Sequence, residues 1–586
     1  MKTLFSRALL VAASILCVSP ALADGAAMDA PRGASLPAQL SGSEREYYRA
    51  VFADLRAQNW AGAAGRLDAM RAGPLHDVAR AMLYTMPGSP PVQMEPLVAL
   101  LVRAPELPQA DDLARLARLR GAETIPQPPR VQRLGGLPGQ PRRARARSVR
   151  GDPVADSLEP LVQPLLVADR PFEAESLFNE RRAELSQEAR TAFQQRIAWV
   201  YYLNGNDREA RRIAEDGRRG VTEWAIHSEW VAGLAAWRMR DHDAAADHFA
   251  SVAARSGDIE LSAAGHYWAA RADTAAGRPE RVQGRLQAAA RMSETFYGLL
   301  AQSALAIRQR SAELDAFSAE DWRTLSSLPN IRAAVALAEI GEAGLASELI
   351  RHQARIGNPR DHEALLHLAG RLDLTGAQMW LAHNGPSGFR TETHDRYPSP
   401  SWRPARGWRV DPALAFAHAL QESNFRPDAV SPAGARGLMQ VRPGTAGDMV
   451  RWGRASGDPG RLTDPATNVE FGQAYLEYLR DLPATGGLLP RVIASYNAGP
   501  APIAEWNARY DLSDPLLYIE SIPYWETRGY VPIVLRNYWI YEQRTGDQSA
   551  SRRALAAGLW PRFPGMTGAA AVRIEPRRPQ TAMGRD

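Results

Sequence analysis

HALQESNFRPDAVSPAGARGLMQ, residues 418–440, sets one glutamate between a helical run and a loop of Pro, Ser and Gly. Asp411-Pro412 just before it supplies an N-cap and a first helical residue. From there Ala415, His418, Ala419 and Glu422 fall on neighbouring turns of one helix face. Pro427 disfavours helix at Arg426, so Glu422 sits in the last turn. There the helix dipole and the unpaired carbonyls disfavour a carboxylate and push its pKa up. If that face is also dry, the group stays protonated near neutral pH, as a general acid requires. Gly434 and Gly437 allow close backbone approach to a ligand, and Gln440 ends the loop with an amide able to bind sugar hydroxyl or acetamido groups. On spacing alone, a solvated helix-end carboxylate is the competing reading.

Outward from this stretch the chain is built of helices. Between about residues 40 and 385, Ala, Leu, Arg and Glu recur at a period near 3.6, without strand-like alternation. Turns at Leu203-Asn204-Gly205-Asn206, Met239-Arg240-Asp241-His242 and Ala275-Ala276-Gly277-Arg278 stand 36 residues apart. Each follows an aromatic or Ala-rich helix and precedes one opening at Asp207, Asp243 or Pro279. Paired helices at that period indicate an α-solenoid; an irregular helical bundle is the alternative. Residues 121–155, rich in Pro, Gly and Arg, read as a flexible linker or long loop, its arginines solvated or touching an anionic polymer. The fold class is therefore mainly all-α.

At 586 residues and 64.2 kDa the chain exceeds a single core. Lys2 and Arg7, an apolar run from Ala8 to Val18, and Ala21-Leu22-Ala23 make residues 1–23 a secretory signal, with a short membrane anchor as the alternative. The one cysteine, Cys17, lies inside it, so the mature chain excludes thiol catalysis, disulfides and cysteine-ligated zinc. Lys2 is the only lysine, which excludes Schiff-base and P-loop chemistry. Loss of the two leader cations takes the net charge from +5 to +3, too mild to indicate nucleic acid. His362 and His367 resemble a zincin pair but are five residues apart, so they cannot share a metal as an i, i+4 pair does. No metal or cofactor is expected.

Gln421-Glu422-Ser423, Gly437-Leu438-Met439-Gln440, Ala494-Ser495-Tyr496-Asn497-Ala498-Gly499, and Glu520-Ser521-Ile522-Pro523 with Glu526-Thr527-Arg528-Gly529-Tyr530-Val531 occur in this order. They resemble the four motifs of the soluble lytic murein transglycosylases, whose catalytic domain is lysozyme-like. Arg396-Tyr397-Pro398 resembles the start of that domain, and Phe296-Tyr297-Gly298-Leu299-Leu300 the end of the family's helical superhelix. Three features depart from the pattern: Ser495 stands where Ala is usual, Arg442 where an apolar residue is usual, and the 121–155 segment has no counterpart.

The resemblance implies an N-terminal α-superhelical solenoid followed by a lysozyme-like, α-rich catalytic domain. The expected division is a leader at 1–23, a helical segment at 24–120, the linker or loop at 121–155, the solenoid at 156–390, a connector at 391–408, the catalytic domain at 409–546 and a disordered tail at 547–586. It also implies an enzyme that cleaves peptidoglycan between N-acetylmuramic acid and N-acetylglucosamine, leaving a 1,6-anhydro end; the secretory leader, with Ala and Arg abundant and Lys almost absent, places it in the periplasm, and a monomer is expected. The muramoyl C6 hydroxyl is then the nucleophile, and Glu422 the acid and then the base. Ser423, Met439, Gln440, Tyr496, Asn497 and Glu520 are implied substrate contacts, whereas Arg528 and Tyr530 are assigned to holding the fold. Glycan strands are the expected partner, with cell-wall synthases recruited through the superhelix. A hydrolytic muramidase and a catalytically silent wall-assembly scaffold are the alternatives.

Overall fold

The 36-residue repeat becomes three stacked helix pairs in the computed structural model, which describes residues 35–307, 317–510, 513–546 and 549–575. The leader 1–23 lies outside the described residues. Gln187–Leu203 pairs with Asp207–Gly217, Thr222–Arg238 with His242–Arg255, and Ile259–Ala275 with Pro279–Ala290. The second pair opens at His242, with the Asp241 side chain accepting the Ala244 N–H, one residue ahead of the expected Asp243. All three turns close alike. Gly205, Arg240 and Gly277 each take positive φ, and the next N–H reaches back to Tyr201, Ala236 or Asp273. This is the Schellman closure, which satisfies carbonyls the helix end would otherwise orphan.

The first helix of each pair is buried on nearly every side, whereas its partner buries one face. Gly265 shows why the layers pack closely: a Cβ there would lie 2.7 Å from the Ala253 nitrogen and 2.8 Å from the Phe249 carbonyl. Trp230, Trp237, Phe249 and Trp268 fill the space between, mostly edge to face.

The helices divide into two cores rather than one continuous 156–390 stack. Helices between residues 153 and 304 share a core with those from Pro412 onward. Helices between residues 319 and 383 instead pack against the first five, Gly42–Arg56 to Ala110–Leu119. Glu339 ties that second group, accepting from the backbone of Gln39 and Leu40 and from the Arg45 guanidinium. No helix among the described residues is long and apolar enough to cross a membrane.

One expectation is settled between its alternatives and one needs correction. Residues 121–152 contain no helix and are the long loop of the two alternatives rather than the flexible linker, a strap bound along both cores. Gln132 bonds the carbonyls of Ala354, Arg355 and Gly357, and Gly135–Gly136 pairs antiparallel with Asn384–Gly385. Arg143, partly buried, forms an ion pair with the buried Glu520, and Arg536 donates to the Pro141 carbonyl. An extended segment can be anchored by backbone bonds and one charge, which its composition does not reveal. The tail is also folded over residues 549–575. Trp539 donates to Ser551 in helix Ala550–Ala556, and Trp560, fully buried, pairs edge-on with Tyr518. Two aromatic anchors, Trp560 and Phe563, outweigh the Ala, Arg and Pro content around them.

Candidate active site

Helix Pro412–Ser423 starts where Asp411 accepts the Ala413 N–H, and Tyr538 bonds the same carboxylate from the side. Residues 412–420 are buried without exception, so this helix runs through the core. It ends at Ser423, because Asn424 and Phe425 both adopt left-handed backbone, φ 50° and 58°. That conformation costs a non-glycine residue about 1 kcal/mol or more. Beyond Asp373, the described positive-φ residues other than glycine are these two and Gln440, at the two ends of the loop. Such outliers gather where a site must be shaped.

Asn468, on helix Pro465–Asp481, holds the loop from below. Its carbonyl oxygen accepts the Met439 N–H at 2.8 Å, and its amide donates to the carbonyls of Arg436 and Leu462, each at 2.8 Å. Gly437 serves this contact and not a ligand: a Cβ there would lie 2.1 Å from the Leu462 oxygen and 2.3 Å from the Asn468 amide. Ser423 donates to Leu438 O at 2.7 Å and joins the helix end to the loop.

Glu422 therefore emerges, partly buried, at the meeting point of helix and loop. Tyr530 donates to its Oε1 at 2.6 Å from helix Trp525–Arg544, while Oε2 has no partner among the described residues. Burial raises the Glu422 pKa to about 7; the Tyr530 hydrogen bond works against this and the Glu526 charge adds to it. The carboxyl is thus poised between acid and base at neutral pH. His418, one turn earlier and fully buried, packs its ring 4.8 Å from Tyr496 and 6.1 Å from Tyr530. Burial lowers its pKa to about 4, so the ring is neutral beside the acid.

The implied site residues separate into three groups. Tyr496 donates to Met439 O at 2.8 Å, and Asn497 accepts from Thr527 at 2.6 Å and donates to Glu526 at 3.3 Å; both are partly exposed near Glu422. Gln440 spends its amide N–H groups on Ala429 O and Gly437 O, and its Oε1 makes no bond to described residues. Ser423 and Met439 support the cleft without offering it a side chain: Ser423 is buried, and Met439 is fully buried against Gly472. Glu520 is the correction. It is 1% exposed, bound by both ends of the Arg143 guanidinium at 2.7 and 3.0 Å and by the Tyr297 hydroxyl at 2.7 Å. Burial alone would raise its pKa, but Arg143 and Tyr297 outweigh that and hold it below the usual value. It locks the strap and takes no part in the cleft.

Tyr530, assigned from sequence to the fold, touches the acid directly, and Glu526 is the neighbouring carboxylate. Both stand in the quoted Glu526–Val531 motif, so its presence was the only available signal. The departure at Ser495 is fully buried, and Arg442 is exposed at the N-cap of helix Pro443–Arg451. His362 and His367 hold unrelated partners, Leu381 O and Asp321, and no described cluster of His, Cys, Asp or Glu is arranged for a metal.

Residues 401–517 match the family described as Transglycosylase SLT domain. The soluble lytic murein transglycosylase of Escherichia coli strain K12 is 39% identical over 146 residues, covering 24% of this chain and 22% of that protein. The membrane-bound lytic murein transglycosylase C of Salmonella paratyphi B is 43% identical over 103 residues, covering 16% of this chain and 29% of that protein. The match thus spans less than a third of either relative's length. Among solved structures, an inactive mutant of the lytic transglycosylase Slt from Pseudomonas aeruginosa superposes with a TM-score of 0.51 at 20% identity, over 86% of this chain and 82% of that one. The helical architecture is shared with that structure, and residues 401–517 carry the match to the Transglycosylase SLT domain family.

Proposed function

We propose that this chain is a peptidoglycan lytic transglycosylase with Glu422 as its single acid and base. The observation that carries the reading is Glu422 itself: a partly buried carboxyl with a pKa near 7, one oxygen held by Tyr530 and the other open. In this reading Glu422 gives its proton to the glycosidic oxygen, and the bond from that oxygen to the muramoyl C1 breaks. The resulting carboxylate takes the proton of the C6 hydroxyl as O6 bonds to C1. The products are a free N-acetylglucosamine hydroxyl and a 1,6-anhydro ring, with no water consumed. An internal nucleophile avoids the entropy loss of a second reactant. Gln440, Tyr496 and Asn497 bind or orient the sugars, while Ser423 and Met439 act through the loop backbone. With the Met1–Ala23 leader removed, the mature protein works in the periplasm.

The test is Glu422→Gln on the full chain with purified peptidoglycan. The variant folds, and release of anhydro-muropeptides falls by orders of magnitude; release near the wild-type rate overturns the assignment. Glu526 favours a second reading, hydrolysis, since water-using glycosidases employ a carboxylate pair. Mass spectrometry separates the two: hydrolysis leaves a muramic acid end heavier by one water.

A further inference from the structure

A stripe of aromatic rings leads from the acid out to the surface. Tyr496, which holds the loop through Met439, lies 5.3 Å from the ring of Tyr475. Tyr475 stacks on Tyr478 at 6.1 Å with 19° between the planes, and Tyr478 meets Trp452 at 5.1 Å. Tyr475 and Tyr478 stand three residues apart on helix Pro465–Asp481 and so share a face. Trp452 follows helix Pro443–Arg451 directly and is 49% exposed.

A stripe made only to pack the core would end in a buried ring, whereas this one ends in a half-open indole. From residue 401 onward, the large apolar side chains exposed among the described residues are Val430, Val450, Trp452 and Tyr524. Val450 stands two residues before Trp452 in the chain and is 40% exposed. The hydroxyls of Tyr475 and Tyr478 make no hydrogen bond to described residues and remain available. Arg454, over the Tyr478 ring at 5.6 Å, already has Asp481 as partner at 2.9 Å, so the stripe offers no spare charge to an anion. Flat ring faces bordered by free hydroxyls suit the C–H face and equatorial hydroxyls of a pyranose chain.

We propose that Tyr475, Tyr478 and Trp452 form an extended subsite that seats sugars of the glycan strand beyond the bond being cut. This rests on the glycan-cleaving reading of Glu422 and adds to it a grip on longer strands. The experiment uses full-length Glu422→Gln protein, so binding is read without turnover, and measures co-sedimentation with intact sacculi and with amidase-stripped sacculi lacking stem peptides. Adding Trp452→Ala weakens binding about tenfold on both materials. Trp452→Phe restores most of it, and Phe172→Ala, which removes a 76% exposed ring on the superhelix, changes nothing. Unchanged binding with Trp452→Ala overturns the subsite. So does an equal loss with Phe172→Ala, which shows unspecific adhesion, or a loss confined to peptide-bearing material. The two readings fail separately. If wild type releases anhydro-muropeptides but Trp452 is silent in binding, only the subsite falls. If binding depends on Trp452 but wild type releases no product, only the chemistry falls.

Discussion

Tyr530 and Glu526 act on Glu422 in opposite directions, and separate variants can read each. A hydroxyl donating at 2.6 Å favours the ionised carboxylate, so Tyr530→Phe raises the Glu422 pKa above about 7. A general acid must be protonated, so the fall in rate at alkaline pH then moves to higher pH, on a lower overall rate. Glu526→Gln removes a negative charge that favours protonation, so the same limb moves to lower pH. A pH–rate profile of kcat/KM checks both, and shifts in one common direction refute the assignment. Stability gives an independent readout. The folded pKa of Glu422 lies above its usual 4.5, so the native state loses stability as pH rises from about 4.5 through about 7. Glu422→Gln has no such loss, so its melting temperature gains on wild type across that window. Glu422 was legible because its helix start, its helix end and its motif all lie within a short stretch. Glu520 was not, because its partner Arg143 lies 377 residues away in sequence. The helix stop at Ser423 was placed only loosely by Pro427, since nothing in the residue types announces two successive left-handed residues at Asn424 and Phe425.

Whole elements were legible where a period existed. The three solenoid turns could be read because each repeats an aromatic or Ala-rich helix, a turn and a residue type suited to a helix start. They also show one unequal position. Gly205 and Gly277 occupy the left-handed site at no steric cost, whereas Arg240 occupies it at φ 60° with its side chain exposed. Arg240→Gly therefore stabilises the protein by about 1 kcal/mol, even though glycine usually weakens helical proteins. Denaturant unfolding of the two proteins measures this; destabilisation would mean that the Arg240 side chain contributes more than its backbone costs. The loop from Arg436 to Val441 was legible only by motif. Its support, Asn468, is one polar residue in a helix whose pattern reads as ordinary.

For the molecule as a whole, the strap adds a tie between the helices of residues 153–304 and those from Pro412 onward. Direct contacts exist: Tyr202 bonds Ser521 at 2.8 Å, Arg271 pairs with Asp514 at 2.7 Å, and Phe296 stacks on Trp539 at 5.1 Å. Arg143 adds a charge from a third segment, 17% exposed against a carboxylate that is 1% exposed. Breaking a buried pair by removing one partner costs about 3–5 kcal/mol, because the other charge stays buried alone. Arg143→Ala is therefore strongly destabilising. Arg143→Ala with Glu520→Gln together cost much less than the two separately, a coupling of about 2 kcal/mol. The same pair carries a pH signature. Glu520 is held below its usual 4.5, so its contribution is present above that pH and is lost as pH falls through the depressed value. The wild type loses stability on acidification through several such carboxylates, and Glu520→Gln loses less because the Glu520 share is gone. Trypsin supplies the local readout, since Arg142, Arg145, Arg147 and Arg150 are exposed cutting sites along the strap. With Arg143 anchored, cleavage there is slow; with Arg143→Ala it accelerates before the helices are cut. Additive effects in the double variant, with rapid cleavage in the wild type, would return the strap to the solvated linker that its composition suggested.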